Sequence, residues 1–309
     1  IRVLSPGLLT TVQDLGRAGL GPLGVPQGGA ADAHALRLGN LLVGNDEGAA
    51  ALEVTLSGPS LRFEEEAVVA LAGAPFGATL DGEEVVPWSV VEVRPGGRLD
   101  VGRALAGARA CICVRGGVDV PLLLGSRSTD VATGFGGLGG RPLRAGDLLP
   151  VGAAAGPPRG RRVDAAAARW TGARRVLRVT PGPQEEWFAP EALAAFFARP
   201  FRVSASASRT GVRLEGEPLP APARSLVTEG VVAGAVQVPA GGLPIALLVE
   251  HPSTGGYPKI ACVISADLSA LAQLRPGVEV RFARFSLDEA RRVLLEREAR
   301  LAAPEVFLP

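Results

Sequence analysis

The stretch Pro75-Phe-Gly-Ala-Thr-Leu-Asp-Gly-Glu83 has a counterpart in the second half of the chain, Arg209-Thr-Gly-Val-Arg-Leu-Glu-Gly-Glu217. Both glycines, the leucine and the final glutamate recur at a constant spacing of 134 positions. A second match, Leu143–Leu148 with Leu274–Glu279, follows at a spacing of 131, as a few loop deletions would produce. The repeat predicts that the chain consists of two related domains.

Short apolar and β-branched runs surround both copies of this repeat. The chain has 41 glycines and 26 prolines, which divide these runs as tight turns do. The clearest predicted strands are 67–71, 90–93, 110–114, 176–180, 201–204, 245–249 and 278–283. We therefore predict a mainly β fold with a few helices, in which two related β-barrel domains lie in tandem.

Helical spacing of apolar residues is limited to a few segments. A short helix is predicted near 31–43, where Asp32 is suited to cap the first turn, and others at 190–199 and 287–301. A segment rich in proline and arginine, 153–166, reads as a linker. The predicted domains are therefore an N-terminal barrel at 1–152 and a C-terminal barrel at 167–309.

Charge and hydropathy limit the classes of partner. Lysine plus arginine number 32 against 31 for aspartate plus glutamate, so no net field attracts nucleic acid or an anionic membrane surface. No apolar run reaches the roughly 20 residues of a membrane span, and the N-terminus lacks the pattern of a signal peptide. The sequence predicts a protein without a nucleic-acid or membrane partner.

Cysteine and histidine usage bears on compartment and metal binding. Cys111 and Cys113 alternate with apolar residues on one strand face, and Cys262 lies in a similar strand. This odd number of buried thiols favours a reducing, cytoplasmic location. Only two histidines, His34 and His251, are present, and no Cys-x-x-Cys pair occurs, so we predict no metal site.

The segment Glu250-His-Pro-Ser-Thr-Gly-Gly-Tyr-Pro-Lys259 has the composition of a ligand site. The tandem glycines Gly255 and Gly256 allow backbone N–H groups to approach a ligand, and the Thr254 hydroxyl can donate or accept. Lys259 offers a charge to a carboxylate or phosphate, beside the only tyrosine, Tyr257. The alternative is a hairpin loop between two apolar strands.

Other polar clusters occur in the first half. The glycine-rich segment Gly134-Phe-Gly-Gly-Leu-Gly139 is not followed by the helix that a dinucleotide-binding fold requires, so we interpret it as a glycine loop. It follows the segment Gly125-Ser-Arg-Ser-Thr-Asp130, whose hydroxyls and Arg127 are suited to bind an anion. A solvated connection is the alternative. The amides of Gln13 and Asn40 are suited to orient a ureido or lactam group. Asp14 lies three residues before Arg17, a spacing compatible with a local ion pair.

Several motifs in order along the chain resemble one known family. They are Thr11-Val-Gln-Asp-Leu-Gly-Arg17 with Gly24-Val-Pro26, Asn40–Asn45, Gly125-Ser-Arg-Ser-Thr129, Gly234–Pro239, Ser253–Lys259 and Leu271–Gly277. Together they resemble the KipA-like biotin-dependent carboxyltransferase family almost from end to end. That family includes the C component of 5-oxoprolinase, the antagonist of a sporulation kinase inhibitor, and the second half of the urea carboxylase carboxyltransferase domain.

The resemblance implies a two-domain, cyclophilin-like β-barrel fold and function within a complex. Its expected partners are a KipI-like B component and an A-type component, and its expected substrate is a small amide. The main expectation is the C component of an ATP-dependent 5-oxoprolinase, which opens 5-oxoproline to L-glutamate. The alternatives are a carboxyltransferase acting on urea or a related amide, with biotin carried on another protein, and a regulatory partner of a KipI-like inhibitor.

The resemblance and the local chemistry suggest roles for individual residues. We expect Lys259, Thr254 and Asp14 to be catalytic, with Gly255, Gly256 and Tyr257 beside them. We expect Arg209 to clamp a carboxylate, because its planar fork engages both oxygens. Gln13, Asn40 and Arg127 complete the predicted substrate-binding set. Two stretches depart from the family, Ala207-Ser-Arg209 and Glu250-His251, where an acid or amide and an aspartate are commoner.

Overall fold

The computed structural model describes residues 1–169 and 174–309. In the first half the strands are β1 (Arg2–Ser5), β2 (Leu9–Gln13), β3 (Ala51–Thr55), β4 (Ser60–Arg62), β5 (Ala67–Gly73), β6 (Phe76–Leu80), β7 (Glu83–Glu84), β8 (Val90–Val93), β9 (Arg98–Ala104), β10 (Arg109–Val114) and β11 (Arg162–Val163). The helices there are α1 (Ala33–Leu42) and the single turn α2 (Ala165–Ala168).

In the second half the strands are β12 (Val176–Pro181), β13 (Phe201–Val203), β14 (Gly211–Glu215), β15 (Glu229–Gly230), β16 (Ala235–Gln237), β17 (Ile245–Leu247), β18 (Thr254–Gly255), β19 (Lys259–Val263), β20 (Glu279–Arg284) and β21 (Phe307–Leu308). The helices are α3 (Pro190–Ala198), α4 (Leu268–Ala272) and α5 (Leu287–Ala302). All seven strands named from the sequence are present, and so are the three helices, which confirms the mainly β prediction.

The chain forms two units. The first consists of Ile1–Arg17, the described part of Gly28–Gly172, and Arg300–Pro309; the second consists of Ala18–Gln27 and the described part of Ala173–Ala299. The predicted linker segment lies in the first unit, where β11 pairs with β21. The predicted domain limits, 1–152 and 167–309, and the relation between the two halves stay predictions.

Two five-stranded sheets make up most of the first unit, in the orders β1-β4-β9-β6-β7 and β2-β3-β10-β5-β8. Their facing side chains form one core, which includes Leu61 and Leu99 from one sheet and Leu52 and Ile112 from the other. Helix α1 covers the opposite face of the second sheet. Because side chains alternate along a strand, both faces of β10 are buried.

The contact between α1 and β10 depends on small residues. Cys111 and Cys113 share the helix-facing side of β10, as their alternation predicts. A Cβ atom on Gly39 would lie 2.7 Å from Cys113 Sγ and 2.8 Å from Ala72 Cβ, so only glycine permits this approach. The helix begins at the predicted cap, since Asp32 Oδ1 accepts the Ala35 N–H at 3.0 Å.

A closed barrel of seven strands, in the order β12-β19-β16-β17-β14-β13-β20, forms the second unit. Its strands pair antiparallel except β12 and β20, which run parallel and close the barrel. Helix α3 packs on β20 through Phe196, whose ring stacks on Phe282 with centroids 4.5 Å apart. Outside the barrel, β15 and β18 form a two-stranded ribbon.

Candidate functional site

The segment that precedes Lys259 is not a hairpin loop. The flanking strands β17 and β19 are separated in the barrel by β16, which pairs with both. Within the segment, Thr254 and Gly255 instead form β18 and pair with Glu229 and Gly230 of β15. The alternative that the sequence left open, a hairpin between neighbouring strands, is therefore wrong, and the ribbon brings Glu229 to the start of β19.

Lys259 begins β19 with its side chain only 5% exposed. Its Nζ lies 2.5 Å from Glu229 Oε1, and Gln184 Nε2 donates to the same carboxylate oxygen at 2.9 Å. Gln184 Oε1 in turn accepts the Lys259 backbone N–H at 3.1 Å. The hydrogen bonds from Lys259 and then Gln184 lower the pKa of Glu229, so this carboxyl stays ionised near neutral pH.

Gln237 is the fourth member of this group, opposite Lys259 in the β16–β19 register. It is 5% exposed, and its Nε2 has no hydrogen-bond partner within residues 1–169 and 174–309. A Cβ atom on Gly255 would lie 2.6 Å from that nitrogen, so a larger residue there would displace the Gln237 amide from its present position. We call Gln184, Glu229, Gln237 and Lys259 the lysine cluster.

The remaining predicted residues of the segment are more accessible. Thr254 and Gly256 lie at the surface, and the Tyr257 side chain is 49% exposed. All three lie in the Ser253–Lys259 segment with Lys259, and their roles stay predictions. A buried amide donor and a cation beside an exposed hydroxyl can bind a carbonyl oxygen or a carboxylate.

Arg209 forms a buried ion pair in the second unit. Its Nε donates to Glu250 Oε1 at 2.6 Å, and the two side chains are 4% and 8% exposed. Glu250, one of the family departures, thus neutralises the predicted carboxylate clamp. A ligand carboxylate would have to replace Glu250 to engage this guanidinium, and breaking a buried pair costs several kcal/mol, of the order of 3–5.

Asp14 is the most heavily hydrogen-bonded of the predicted residues, and it lies in the first unit. It is 8% exposed, and its Oδ1 accepts from Ser126 Oγ at 2.6 Å, Ser128 Oγ at 2.5 Å and the Gly16 N–H at 2.8 Å. Its Oδ2 accepts the Arg127 N–H at 2.6 Å. The two serine hydroxyls that the sequence suggested for an anion are therefore already bound to Asp14.

Arg17 does not pair with Asp14. It is 2% exposed; its Nε donates to Leu123 O at 3.1 Å, its Nη2 donates to Ser128 O, and its Cζ lies 4.6 Å from the Phe135 ring centroid. Burial lowers the pKa of this guanidinium. Its Nη1 has no partner in the described part of the chain. The expected local ion pair is thus replaced by bonds that hold two loops together.

The glycine loop at 134–139 packs against the 125–130 segment. A Cβ atom on Gly136, whose φ is +72°, would lie 2.1 Å from Ser128 O, and one on Gly137 would lie 1.9 Å from Thr129 Oγ1. Gly137 N–H donates to Arg127 O at 3.2 Å. These glycines serve close packing of one loop on the other.

Two other predicted residues of the first unit, Arg127 and Asn40, already have hydrogen-bond partners within the chain. Arg127 Nη2 donates to Asp119 at 2.7 Å, and both line a cavity of about 400 Å³. Asn40 Nδ2 donates to Ala49 O at 2.7 Å and its Oδ1 accepts from Asn45, which ties down the turn after α1. Their roles in substrate binding stay predictions.

Gln13 is fully buried on β2, next to Asp14. Its Nε2 donates to Thr11 Oγ1 and Thr129 O, both at 3.0 Å, whereas its Oε1 has no partner among the residues described. The structure therefore brings Gln13, Asp14 and Arg127 to one loop cluster in the first unit. Lys259, its segment and Arg209 belong to the second unit.

Three members of the lysine cluster, Gln184, Glu229 and Gln237, were not identified from the sequence. Gln237 lies in the Gly234–Pro239 motif but was not selected as a site residue, and Gln184 and Glu229 belong to none of the motifs. A signal for the cluster was nevertheless present, since Lys259 is the only lysine in a chain with 31 arginines. Lysine and arginine differ in shape and hydration, so a single lysine marks a position where a compact ammonium is needed.

No group of three or more His, Cys, Asp or Glu side chains with the geometry to hold a metal ion occurs among the described residues. None of the helices in the same part of the chain combines the length and apolar character that a membrane crossing requires.

Comparison with known proteins defines the family. The model of the carboxyltransferase domain, subdomain A and B, matches residues 23–284. This chain therefore belongs to the carboxyltransferase subdomain A and B family, which confirms the resemblance drawn from the motifs.

Two relatives are similar to this chain along most of its length. The C component of the Escherichia coli 5-oxoprolinase is 40% identical over 296 residues, which cover 94% of this chain and 93% of that protein. The urea amidolyase of Saccharomyces cerevisiae is 35% identical over 319 residues, which cover 94% of this chain and 17% of that protein.

The fold has a counterpart of known structure. The crystal structure of the Kluyveromyces lactis urea carboxylase matches with a TM-score of 0.91 at 32% identity, covering 98% of this chain and 29% of that one. The chain thus spans less than a third of the urea amidolyase and urea carboxylase chains, and nearly all of the E. coli 5-oxoprolinase component.

Proposed function

We propose that this chain acts as the C component of an ATP-dependent 5-oxoprolinase, together with a KipI-like B component and an A-type component. The observation that carries the proposal is the 40% identity with the C component of the E. coli 5-oxoprolinase along nearly the full length of that protein. This chain covers 93% of that protein but only 17% of the yeast urea amidolyase. The complex would act in the cytoplasm and open 5-oxoproline to L-glutamate.

The chemistry of the lysine cluster supports this substrate. A lactam is unreactive towards water because its nitrogen lone pair is delocalised into the carbonyl group. ATP bound in the complex would supply the phosphoryl group that activates the carbonyl oxygen. In this chain, Gln237 Nε2 is suited to donate to the carbonyl oxygen and to stabilise negative charge that develops there.

The other end of 5-oxoproline is a carboxylate, which needs a cation or several donors. Lys259 and Arg209 are the two buried cations of the second unit that the sequence selected, each facing one glutamate. Thr254 and the backbone of Gly255 and Gly256 add donors in the same segment. Gln13 and Asp14, which the sequence analysis expects to orient the amide, belong to the first unit, and that role stays a prediction.

The proposal is tested by reconstitution. The chain, co-purified with its B- and A-type partners, should convert 5-oxoproline to glutamate only when ATP is supplied. Lys259→Ala and Arg209→Ala should each lower turnover at least tenfold, a loss of about 1.4 kcal/mol of transition-state stabilisation. Arg213→Ala, an exposed arginine on β14, is the matched control and should retain full turnover. Normal rates for both Lys259→Ala and Arg209→Ala would refute these residue assignments.

A second candidate is a carboxyltransferase, favoured by the family itself and by the TM-score of 0.91 with the K. lactis urea carboxylase. Biotin, carried by another protein, would supply the carboxyl group in that reaction. Gln237 Nε2 is a buried, unpartnered donor within the described residues and suits a ureido carbonyl oxygen. Transfer of labelled carboxyl from carboxybiotin to urea, without glutamate formation, would select this function.

The same reconstitution addresses the third expectation. A stable complex with the KipI-like protein that supports neither glutamate formation nor carboxyl transfer would indicate that the chain is a regulatory partner. Partner binding is measured separately from turnover, by co-elution in size-exclusion chromatography.

A further inference from the structure

The lysine cluster contains an unusual pairing of a buried cation with a surface anion. The Lys259 side chain is 5% exposed, whereas that of its partner Glu229 is 41% exposed. An ammonium group has three N–H donors, and Nζ makes no contact with a second carboxylate among the residues described. Unused donors on a buried group are costly, so this site favours a further acceptor.

Glu229 is held weakly for a residue that covers a buried charge. Both of its hydrogen-bond partners, Lys259 and Gln184, use Oε1 alone. It lies on β15, a strand of two residues that follows the irregular segment 216–228. The residues of that segment are mostly exposed, with Val227 at 87%. The half-exposed Glu229 carboxylate can be exchanged at small cost only when another carboxylate takes its place, because the buried Lys259 ammonium would otherwise remain as an unpaired charge.

Gln237 gives the site a second hydrogen-bond donor, besides the Lys259 ammonium, that a ligand can use. Its Nε2, buried and without a partner in the described ranges, belongs to the strand next to Lys259. A ligand that fills the place of the Glu229 carboxylate and carries a carbonyl oxygen satisfies both this amide and the ammonium. Glu229 itself satisfies only the ammonium and Gln184.

We propose that the lysine cluster is a binding site for a small carboxylate that carries an adjacent amide or carbonyl group, and that Glu229 holds the place of the ligand's carboxylate in the free chain. On binding, the ligand carboxylate takes the contacts of Lys259 Nζ and Gln184 Nε2, and Glu229 moves out with the β15 ribbon. Glu229 therefore competes with the ligand and sets its affinity. The choice of 5-oxoproline as the ligand rests on the proposed function, whereas the replacement of the Glu229 carboxylate by a ligand carboxylate does not.

The single lysine makes this exchange measurable in the full chain without partners. An amine-specific acylating reagent has only Lys259 and the N-terminal amine as targets, and mass spectrometry of the digest separates the two. The label rate at the N-terminus serves as an internal standard. In the wild type we expect Lys259 to react at least tenfold more slowly than in the unfolded chain.

Glu229→Gln removes the competing charge while preserving side-chain shape. We expect Lys259 in this variant to label at least threefold faster than in the wild type. Acetate and 5-oxoproline should then protect it, with 5-oxoproline half-protecting at a concentration at least fivefold lower than in the wild type. Glu217→Gln, an exposed glutamate paired with Arg199 in the same unit, is the matched control and should behave as the wild type. 2-Pyrrolidinone, a lactam without a carboxylate, should not protect.

Two results would overturn the inference: no protection by either carboxylate in the wild type and Glu229→Gln, or weaker protection by 5-oxoproline in Glu229→Gln than in the wild type. Equal protection by 2-pyrrolidinone would also overturn it, because the carboxylate would then be irrelevant. Failure of the proposed function gives a different result. If acetate protects Lys259 but the reconstituted complex makes no glutamate, the 5-oxoprolinase function is contradicted, whereas the exchange of Glu229 for a ligand carboxylate is supported.

Discussion

Replacement of Asp14 by alanine separates a structural from a catalytic role for this residue. The sequence marks Asp14 as catalytic, but the carboxylate accepts four hydrogen bonds, one from the Gly16 N–H and three that fix the 125–130 segment against the end of β2. In Asp14→Ala the hydroxyls of Ser126 and Ser128 can rotate to other acceptors. The backbone N–H groups of Gly16 and Arg127 cannot, and they remain without an acceptor.

The expected loss of folding stability in Asp14→Ala follows from the backbone N–H groups of Gly16 and Arg127. Both donors are part-buried, so each costs about 1 kcal/mol when left unsatisfied, and the pair should destabilise the first unit by about 2 kcal/mol. For a unit of this size 1 kcal/mol lowers the melting temperature by about 2–4 °C, so we expect a decrease of about 4–8 °C. Arg17 and the glycine loop, which also depend on the 125–130 segment, should lose their packing at the same transition.

The assay is thermal unfolding of the isolated chain, followed by circular dichroism and compared with turnover of the reconstituted complex. Asp119→Ala is the matched control, because this carboxylate also contacts Arg127 but is 52% exposed. It should change stability by less than about 1 kcal/mol. If Asp14→Ala melts within about 2 °C of the wild type and still loses turnover, the structural reasoning is wrong and Asp14 acts on the substrate.

Three further results are expected. Lys259→Met should lower turnover at least tenfold, about 1.4 kcal/mol, and Lys259→Arg should not restore it, because a planar guanidinium does not fit the place of an ammonium. The hydrogen bonds from Lys259 and Gln184 lower the pKa of Glu229 from its ordinary value of 4.5. The stabilisation that its carboxylate provides is therefore complete above pH 4.5 and is lost as the pH falls through the lower pKa of the folded state. Glu229→Gln should lose less stability on acidification than the wild type, and an unchanged acid-unfolding curve would contradict this. Burial raises the pKa of the Cys113 and Cys262 thiols, so a thiol-specific reagent should modify Cys113 only after unfolding, and rapid modification of the native chain would be inconsistent with this packing.

Local patterns in the sequence account for most of the secondary structure. Strand β10 alternates between two buried faces, and the alternation of Cys111 and Cys113 with Ile112 identifies which side chains share a face. The cap of α1 at Asp32 is likewise a local interaction, three residues long. Such features are readable because the interacting residues lie within one or two turns of each other.

The candidate site shows the opposite case. Asp14 and Ser128 are separated by 114 positions, and Gln184 and Lys259 by 75, so no local pattern connects them. The sequence suggests an anion site for the serine hydroxyls and Arg127, with a solvated connection as the alternative. In the structure the hydroxyls bind Asp14 and the guanidinium binds Asp119, because buried polar groups take whichever partner the fold places beside them.

What the sequence by itself determined is therefore the mainly β architecture and the family, while the role of the segment that ends at Lys259 stays a prediction. The tertiary structure alone decided which groups surround that lysine. Strand order in the barrel places β16 between β17 and β19, and the β15–β18 ribbon brings Glu229 onto the ammonium. Periodicity along a chain encodes which side of a strand is buried, but the partner of a buried charge depends on strand pairing between distant segments.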